Sequence, residues 1–182
     1  MRIFNRIILS ASIVLSAISM QSCDESIAYT LEGTWQGDMF VQSYYNNRYY
    51  TTTYSVVNFQ KNPFKYASGE GYWIDYYSDA PWGKCIANHI KWNVNKGVIH
   101  IHFREDNEDV EIRDYRLNDE RFEGYIGESS TFFSLVHTSS PNWNNYSYGW
   151  NNTYFRSIQS KNSKEEAKKP VRIFKKVDLP QE

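Results

Sequence analysis

The chain has 182 residues, of which 41% are hydrophobic, 17% aromatic and 23% charged. Its formal net charge is −1 at pH 7, so it lacks the basic surplus that favours a nucleic acid partner. The length suits one domain with a buried core, and 2 cysteines are too few for a framework of several disulfides.

The first 22 residues have the pattern of a signal peptide. Arg2 and Arg6 form a basic start, and an apolar run from Ile7 to Ile18 follows. This run is too short to span a bilayer as a helix, so we predict a cleaved signal over residues 1–22. Loss of the two arginines reduces the 20 basic residues to 18 against 21 acidic ones, a net charge of −3.

Residues Ser19 to Cys23 read SMQSC, with a small residue directly before a cysteine. The segment resembles a bacterial lipobox, which implies an acylated Cys23 and the membrane as a partner, since several acyl chains anchor a protein without a transmembrane helix. Residues 23–29 would be the lipidated cysteine and a short tether. Asp24 and Glu25 resemble the export signal of surface lipoproteins of the Bacteroidetes. The implied location is the bacterial cell envelope, in the outer membrane and exposed at the surface; a plain secretory signal is the alternative.

From residue 30 onward, short alternating runs separated by turn residues predict strands. Leu31 to Tyr45 would pair with Thr51 to Phe59 across Asn46-Asn47, because asparagine accepts the positive φ of a hairpin turn. The other predicted strands are Gly71 to Tyr77, Val110 to Leu117, Arg121 to Ile126, Ser130 to His137 and Val171 to Val177.

The clearest unit is a hairpin over residues 86–104, with Lys96 and Gly97 in its turn. Gly97 can take a positive φ without steric cost. In this register Trp92 faces Ile101, and one face of the hairpin is apolar along its whole length.

The other face of this hairpin carries His89, His100 and His102. A His-x-His pair on a strand can bind a metal when further ligands converge. The register places Lys91 opposite His102, and a cation there disfavours a metal. We therefore predict surface histidines and no metal.

Successive hairpins describe a meander, and about eight strands close most economically into an all-β, antiparallel up-and-down barrel. The first strand begins with Gly33-x-Trp35, which resembles the opening motif of lipocalins. The pattern over residues 30–137 is similar to the lipocalin-like small lipoproteins of the Bacteroidetes. The resemblance implies one barrel domain over residues 30–182, a Trp35 that closes one end, and a calyx for a small apolar or amphipathic ligand. Arg172 is a candidate for the arginine that caps this tryptophan in lipocalins.

Residues 138–160 are rich in tryptophan, tyrosine and asparagine and lack strict alternation, so we predict a long loop there. A basic, solvated C-terminal segment follows it. Three interpretations of the aromatic rings stay open. They line a pocket at the barrel mouth, they form exposed platforms for a glycan or a protein, or they cover a barrel end. The candidate ligand-binding residues are Tyr45, Tyr49, Trp73, Trp82, Trp143 and Trp150.

The sequence gives no case for an enzyme. It lacks the short motifs of serine hydrolases, zinc proteases, dithiol redox proteins and P-loop nucleotide-binding proteins. We therefore predict non-catalytic binding without a cofactor. The main alternative is a surface module for a glycan or a protein, without an internal cavity.

Overall fold

The computed structural model describes residues 23–127, 129, 132–150 and 169–174. Within them the chain forms a closed barrel of eight strands and a separate sheet of three strands. The predicted signal peptide and most of the basic C-terminal segment lie outside the described residues. Among the residues described, no helix is long and apolar enough to cross a membrane.

The first ten strands follow one another along the chain with short connections, and the last strand begins only at Val171. The strands are β1 (Gly33–Asp38), β2 (Val41–Tyr45), β3 (Arg48–Thr51), β4 (Tyr54–Lys61), β5 (Ser68–Tyr76), β6 (Cys85–Asn95), β7 (Val98–Phe103), β8 (Glu108–Leu117), β9 (Arg121–Ile126), β10 (Phe132–Thr138) and β11 (Val171–Phe174). The barrel order is β1-β10-β9-β8-β7-β6-β5-β4, and the second sheet has the order β11-β2-β3. All the pairings between these strands are antiparallel, and β1 closes the barrel on β4. The predicted all-β barrel of eight strands is confirmed.

The first hairpin differs from its prediction. Asn46 and Asn47 form the expected turn with positive φ, but they join the short strands β2 and β3, which lie outside the barrel. Phe40 has a φ of 53°, and its N–H donates to the Asp38 side chain (2.7 Å). This turn ends β1 before β2 begins, so the predicted strand over 31–45 is two strands and β1 pairs with β4.

Side chains fill the barrel interior. The predicted register of the β6–β7 hairpin is confirmed, with Trp92 opposite Ile101. Aromatic rings meet edge to face across the interior, such as Phe59 and Trp92 with centroids 5.6 Å apart, a geometry that suits the ring quadrupoles. The largest side chains with under 2% exposure are Trp35, Trp73, Phe59, Phe103, Phe122 and Phe133.

A helix over residues 23–31 covers one end of the barrel, which we call the closed end. Ala28 and Leu31 of this helix have no exposed surface and belong to the core. This corrects the expectation of a short tether over residues 23–29, because the segment packs on the barrel. The sequence signal for this packing is the helical spacing of Ile27, Ala28 and Leu31.

Trp35 lies in the core beneath this helix. Its indole N–H donates to the Leu31 carbonyl (2.8 Å), and its ring meets the edges of Phe122 and His137. The tryptophan of the Gly-x-Trp motif thus closes the barrel end where β1 begins, as the resemblance implies.

Asp24 fixes the helix to the tip of the β6–β7 hairpin. Its carboxylate accepts backbone hydrogen bonds from Lys96 (2.9 Å) and Gly97 (2.7 Å). Hydrogen bonds to an ionised acceptor are among the stronger ones. Because Asp24 directly follows Cys23, the cysteine is held at the closed end.

Glu25 joins the same helix to the β4–β5 turn. Its carboxylate lies 2.8 Å from Lys61 Nζ and accepts a hydrogen bond from the Ala67 N–H (2.7 Å). The Lys61 side chain first, and then the Ala67 N–H, lower the pKa of Glu25 below its ordinary value. A lowered folded-state pKa stabilises the fold above the unfolded pKa, and this contribution is lost as pH falls through the folded pKa.

We therefore expect Glu25→Gln to reduce the urea midpoint near neutral pH and to have less effect as pH falls from about 7 to about 3. Urea unfolding of the wild type and the variant across this range measures the difference. The matched control is Glu120→Gln, at an exposed position in the β8–β9 turn. A difference for Glu25→Gln that does not change with pH would contradict this role.

Candidate functional site

The barrel end opposite the helix, here called the mouth, is filled by Arg172 of β11. The guanidinium donates to Asp75 Oδ2 (2.9 Å), Asp106 Oδ2 (2.8 Å) and Asn88 Oδ1 (2.8 Å). These partners belong to β5, the β7–β8 turn and β6. Lys169 forms a further ion pair with Asp106. One side chain thus ties β11 to three segments of the barrel.

Asp75 is the most buried member of this network, with a side chain that is 0% exposed. Its Oδ1 accepts hydrogen bonds from Ser55 Oγ (2.7 Å) and the Trp73 indole (2.8 Å). Burial lowers the pKa of Arg172, but the carboxylates of Asp75 and Asp106 outweigh burial and hold that pKa above its ordinary value. The buried charges are therefore paired and hydrogen-bonded, as a buried ion pair requires.

The mouth leaves little room for a ligand beside Arg172. The guanidinium carbon lies 4.2 Å from the centroid of the Phe103 ring. The slot next to Arg172 has a volume of about 10 Å³, which suits about one water molecule, whereas pockets for small molecules have volumes of about 300 Å³ or more. The expectation that Arg172 caps Trp35 is wrong, because the two residues lie at opposite ends of the barrel.

Three of the six candidate ligand-binding residues meet outside the barrel. Tyr45, Trp82 and Trp150 have ring centroids 5.7 to 5.9 Å apart. Trp82 is 3% exposed, and its ring also meets Tyr50 and Tyr77. This cluster packs the β2–β3 hairpin against the chain that leads into β6.

The other three candidates lie elsewhere. Trp73 is fully buried in the barrel core, so it is not a rim residue. Tyr49 is exposed on β3, and Trp143 stacks on Tyr72 of β5 with centroids 4.7 Å apart and planes 11° apart. The structure therefore divides the six residues among several places, and their role in ligand binding stays a prediction.

The described part of the aromatic loop covers the outer wall of β5 and β6. The Gly149 N–H donates to the Ala87 carbonyl (2.8 Å), and the Tyr148 ring lies 3.9 Å from the His89 ring. Burial, first among several causes, raises the pKa of the Tyr148 hydroxyl to about 12. Of the three interpretations, residues 142–150 fit the covering role, although they cover the wall and not a barrel end.

The β2–β3 hairpin, residues 41–51, carries four tyrosines, and we call it the tyrosine hairpin. Tyr44 and Tyr49 are paired across the strands with ring centroids 4.9 Å apart, and Tyr49 is 59% exposed. The Tyr44 hydroxyl donates to Asn47 Oδ1 (3.0 Å), and the Arg48 guanidinium lies over the Tyr50 ring. Tyr44 and Tyr49 thus lie on one face of the hairpin, and Arg48 and Tyr50 lie on the other face, where Tyr50 packs on Trp82.

The polar face of the β6–β7 hairpin borders an open groove of about 780 Å³. His100 lies 3.1 Å from Glu111, and His102 lies 2.9 Å from Asp109. Within the described part of the chain, no group of three or more potential metal ligands converges. Each of these histidines instead faces one carboxylate of β8.

The acidic run over residues 105–111 takes part in the tertiary contacts of the barrel. Asp106 belongs to the mouth network, and Glu105 accepts a hydrogen bond from the His89 backbone N–H (2.8 Å). Sequence reasoning missed both roles because their partners lie 66 and 16 residues away along the chain. The sequence did carry one signal for the neighbouring acidic residues: Asp109 and Glu111 alternate on β8 opposite His102 and His100 of β7.

A family model described as "Lipocalin-like domain" matches residues 31–124, about half of the chain. Comparison with curated proteins gives no match, and comparison with solved structures gives none either. The matched residues span β1 to the middle of β9, which includes the Gly33-x-Trp35 motif and most of the barrel. The chain therefore belongs to the family of lipocalin-like domains.

Proposed function

We propose that this protein is a non-catalytic binding protein of the cell envelope, anchored by lipid on Cys23, which holds a glycan on the tyrosine hairpin. The observation that carries the proposal is the contrast between the barrel mouth, which is filled, and the tyrosine hairpin, which is open to solvent. Arg172 fills the mouth of the barrel, whereas the ring of Tyr49 is 59% exposed.

The surface of the hairpin suits a sugar. A sugar ring presents C–H groups on one face, which pack on the negative face of an aromatic ring. Its hydroxyls need donors and acceptors nearby, and Asn46 and Asn47 are exposed in the turn next to Tyr44 and Tyr49. Tyrosine and asparagine are also common on adaptable protein-binding surfaces, so a protein ligand is the competing outcome of the test.

An apolar ligand inside the barrel is the second candidate, and the lipocalin-like fold favours it. Entry through the mouth would require β11 to leave, which would break the ion pairs of Arg172 with Asp75 and Asp106. A buried carboxylate left without its partner is costly. We therefore place the ligand on the tyrosine hairpin.

Glycan arrays probed with the secreted form that begins at Asp24 test this proposal. A glycan found there is then titrated by calorimetry against the wild type and the Tyr44→Ala/Tyr49→Ala double variant. We expect the double variant to bind about tenfold more weakly or worse, which corresponds to about 1.4 kcal/mol or more, because the stacking surface is lost.

The matched control is Tyr125→Ala, at a tyrosine that is 38% exposed on β9, and its affinity is expected to equal that of the wild type. Blank arrays, or equal affinity of the double variant and the wild type, would overturn the glycan proposal. Capture of a defined protein ligand through Tyr49 would move the proposal to the protein class.

A further inference from the structure

We propose that the closed end of the barrel lies directly on the lipid bilayer, with the β4–β5 turn inserted among the lipid headgroups. The inference rests on the proposed lipid anchor at Cys23 and goes beyond it. An anchor by itself sets no orientation, because a tethered domain can tumble. The structure points to one orientation.

An aromatic patch of Tyr29, Phe64 and Tyr66 lies at the closed end. Their exposed fractions are 62%, 95% and 52%. Phe64 follows Pro63 at the tip of a turn, where an apolar ring gains nothing from the fold. Aromatic residues are enriched where proteins meet the membrane interface, so the patch has the composition of an interfacial surface.

Hydrogen bonds and ring contacts hold this patch beside the anchor. The Ala67 N–H, next to Tyr66, donates to Glu25 of the helix (2.7 Å). Lys61 Nζ lies 4.5 Å from the centroid of the Tyr29 ring. The exposed side chain of Cys23 directly precedes Asp24 on the same helix.

The anchor has no slack within the described chain. Asp24, the residue after Cys23, is 7% exposed, and it is bonded to the tip of the β6–β7 hairpin. Acyl chains on Cys23 would therefore enter the bilayer at the surface of the barrel. The aromatic patch would then lie at the same depth as the headgroups.

The charges around the closed end favour a tilt of the barrel that brings the aromatic patch toward the bilayer. Lys65 is exposed between Phe64 and Tyr66, and lysine beside an apolar surface extends its ammonium toward lipid phosphates. The β8–β9 turn, on the opposite side of the barrel order, carries the exposed acidic residues Asp119 and Glu120. An anionic bilayer attracts the first turn through Lys65, whereas at the second turn the exposed Arg121 offsets part of the repulsion of the two carboxylates.

The test uses the full mature chain, made with its own signal in a bacterium that acylates lipoproteins. The protein is reconstituted in vesicles of phosphatidylethanolamine and phosphatidylglycerol. In a Cys85→Ser background, a nitroxide label is attached at Phe64→Cys, at Lys65→Cys or, as the control at the far end, at Tyr49→Cys. Collision with oxygen and with a water-soluble nickel chelate reports the depth of each label.

We expect labels at positions 64 and 65 to collide several-fold less with the nickel chelate, and more with oxygen, than the label at position 49. Equal exposure of all three labels to nickel, in protein that floats with the vesicles, would overturn the inference. If positions 64 and 65 are shielded from both reagents and the protein is a dimer in solution, the inference is overturned. The patch would then be covered by a second copy of the chain and not by lipid. Two measurements test the anchor separately: the mass of the N-terminal peptide shows whether Cys23 is acylated, and flotation shows whether the protein is attached to vesicles. If both are negative, the proposed anchor is wrong and the inference is wrong with it.

Discussion

Replacement of Arg172 with methionine is expected to lower the free energy of unfolding by about 3–5 kcal/mol. The variant leaves Asp75, which is 0% exposed, as a buried carboxylate without its cation. It also removes donors from Asp106 and Asn88. The physical reason for the large effect is that a single unpaired charge in the barrel interior costs more than the loss of the pair as a whole. Urea unfolding followed by circular dichroism measures the change.

Two controls separate this effect from the loss of a surface charge. Arg113→Met removes an exposed ion pair with Glu111, and the expected cost is below about 1 kcal/mol. The triple variant Arg172→Met/Asp75→Asn/Asp106→Asn removes the unpaired carboxylates and is expected to recover a large part of the loss. A small effect of Arg172→Met, comparable to that of Arg113→Met, would show that β11 does not close the mouth in solution.

The second large effect is expected for Trp35→Ala, which should cost about 3–5 kcal/mol. The side chain has no exposed surface, so its removal leaves a cavity under the helix at the closed end. Trp35→Phe keeps most of the ring volume but loses the hydrogen bond to the Leu31 carbonyl, and a smaller loss is expected. Thermal and urea unfolding of both variants check the order.

The matched surface control is Trp143→Ala, at a half-buried tryptophan stacked on the outer wall. It is expected to cost clearly less than Trp35→Ala, because solvent replaces part of the lost contact. Equal costs for the two tryptophans would contradict the placement of Trp35 in the core.

The barrel was predictable because its signals are local. Alternation along residues 86–104 and a glycine in the turn suffice to set the register of β6 and β7, and each residue of that hairpin pairs with a near neighbour in the chain. The turn at Phe40 was not predictable in the same way. A phenylalanine with a positive φ leaves no mark in a pattern of apolar and polar residues, so β1 and β2 read as one strand.

The ion-pair network at the mouth could not be predicted from the sequence for a different reason. Arg172 lies 97 residues from Asp75 along the chain, and it stands among lysines that have the composition of a solvated terminus. Nothing local distinguishes a buried arginine from an exposed one. Likewise, Asp24 reads as a polar residue after a cysteine, and only its contact with the hairpin tip at Lys96 shows that it belongs to the fold.

The candidate ligand-binding residues were predictable as a class but not as a place. Aromatic composition identified Tyr45, Tyr49 and Trp82, since rings in turns are unusual without a role. The same criterion selected Trp73, because its strand alternates weakly and gives no sign of which face is the interior. Whether each of these residues lies on the outer wall, in the core or on the hairpin depends on how the barrel closes. A short segment of sequence does not show this.

Mass spectrometry of an organic extract tests the central claim, that the ligand lies outside the barrel and Arg172 fills its mouth. The secreted form that begins at Asp24 is purified from its native host and extracted with organic solvent. The account predicts an extract without a stoichiometric apolar molecule. A lipid or pigment released at one equivalent per chain would contradict it, and would show that β11 leaves the mouth to admit a ligand to the calyx.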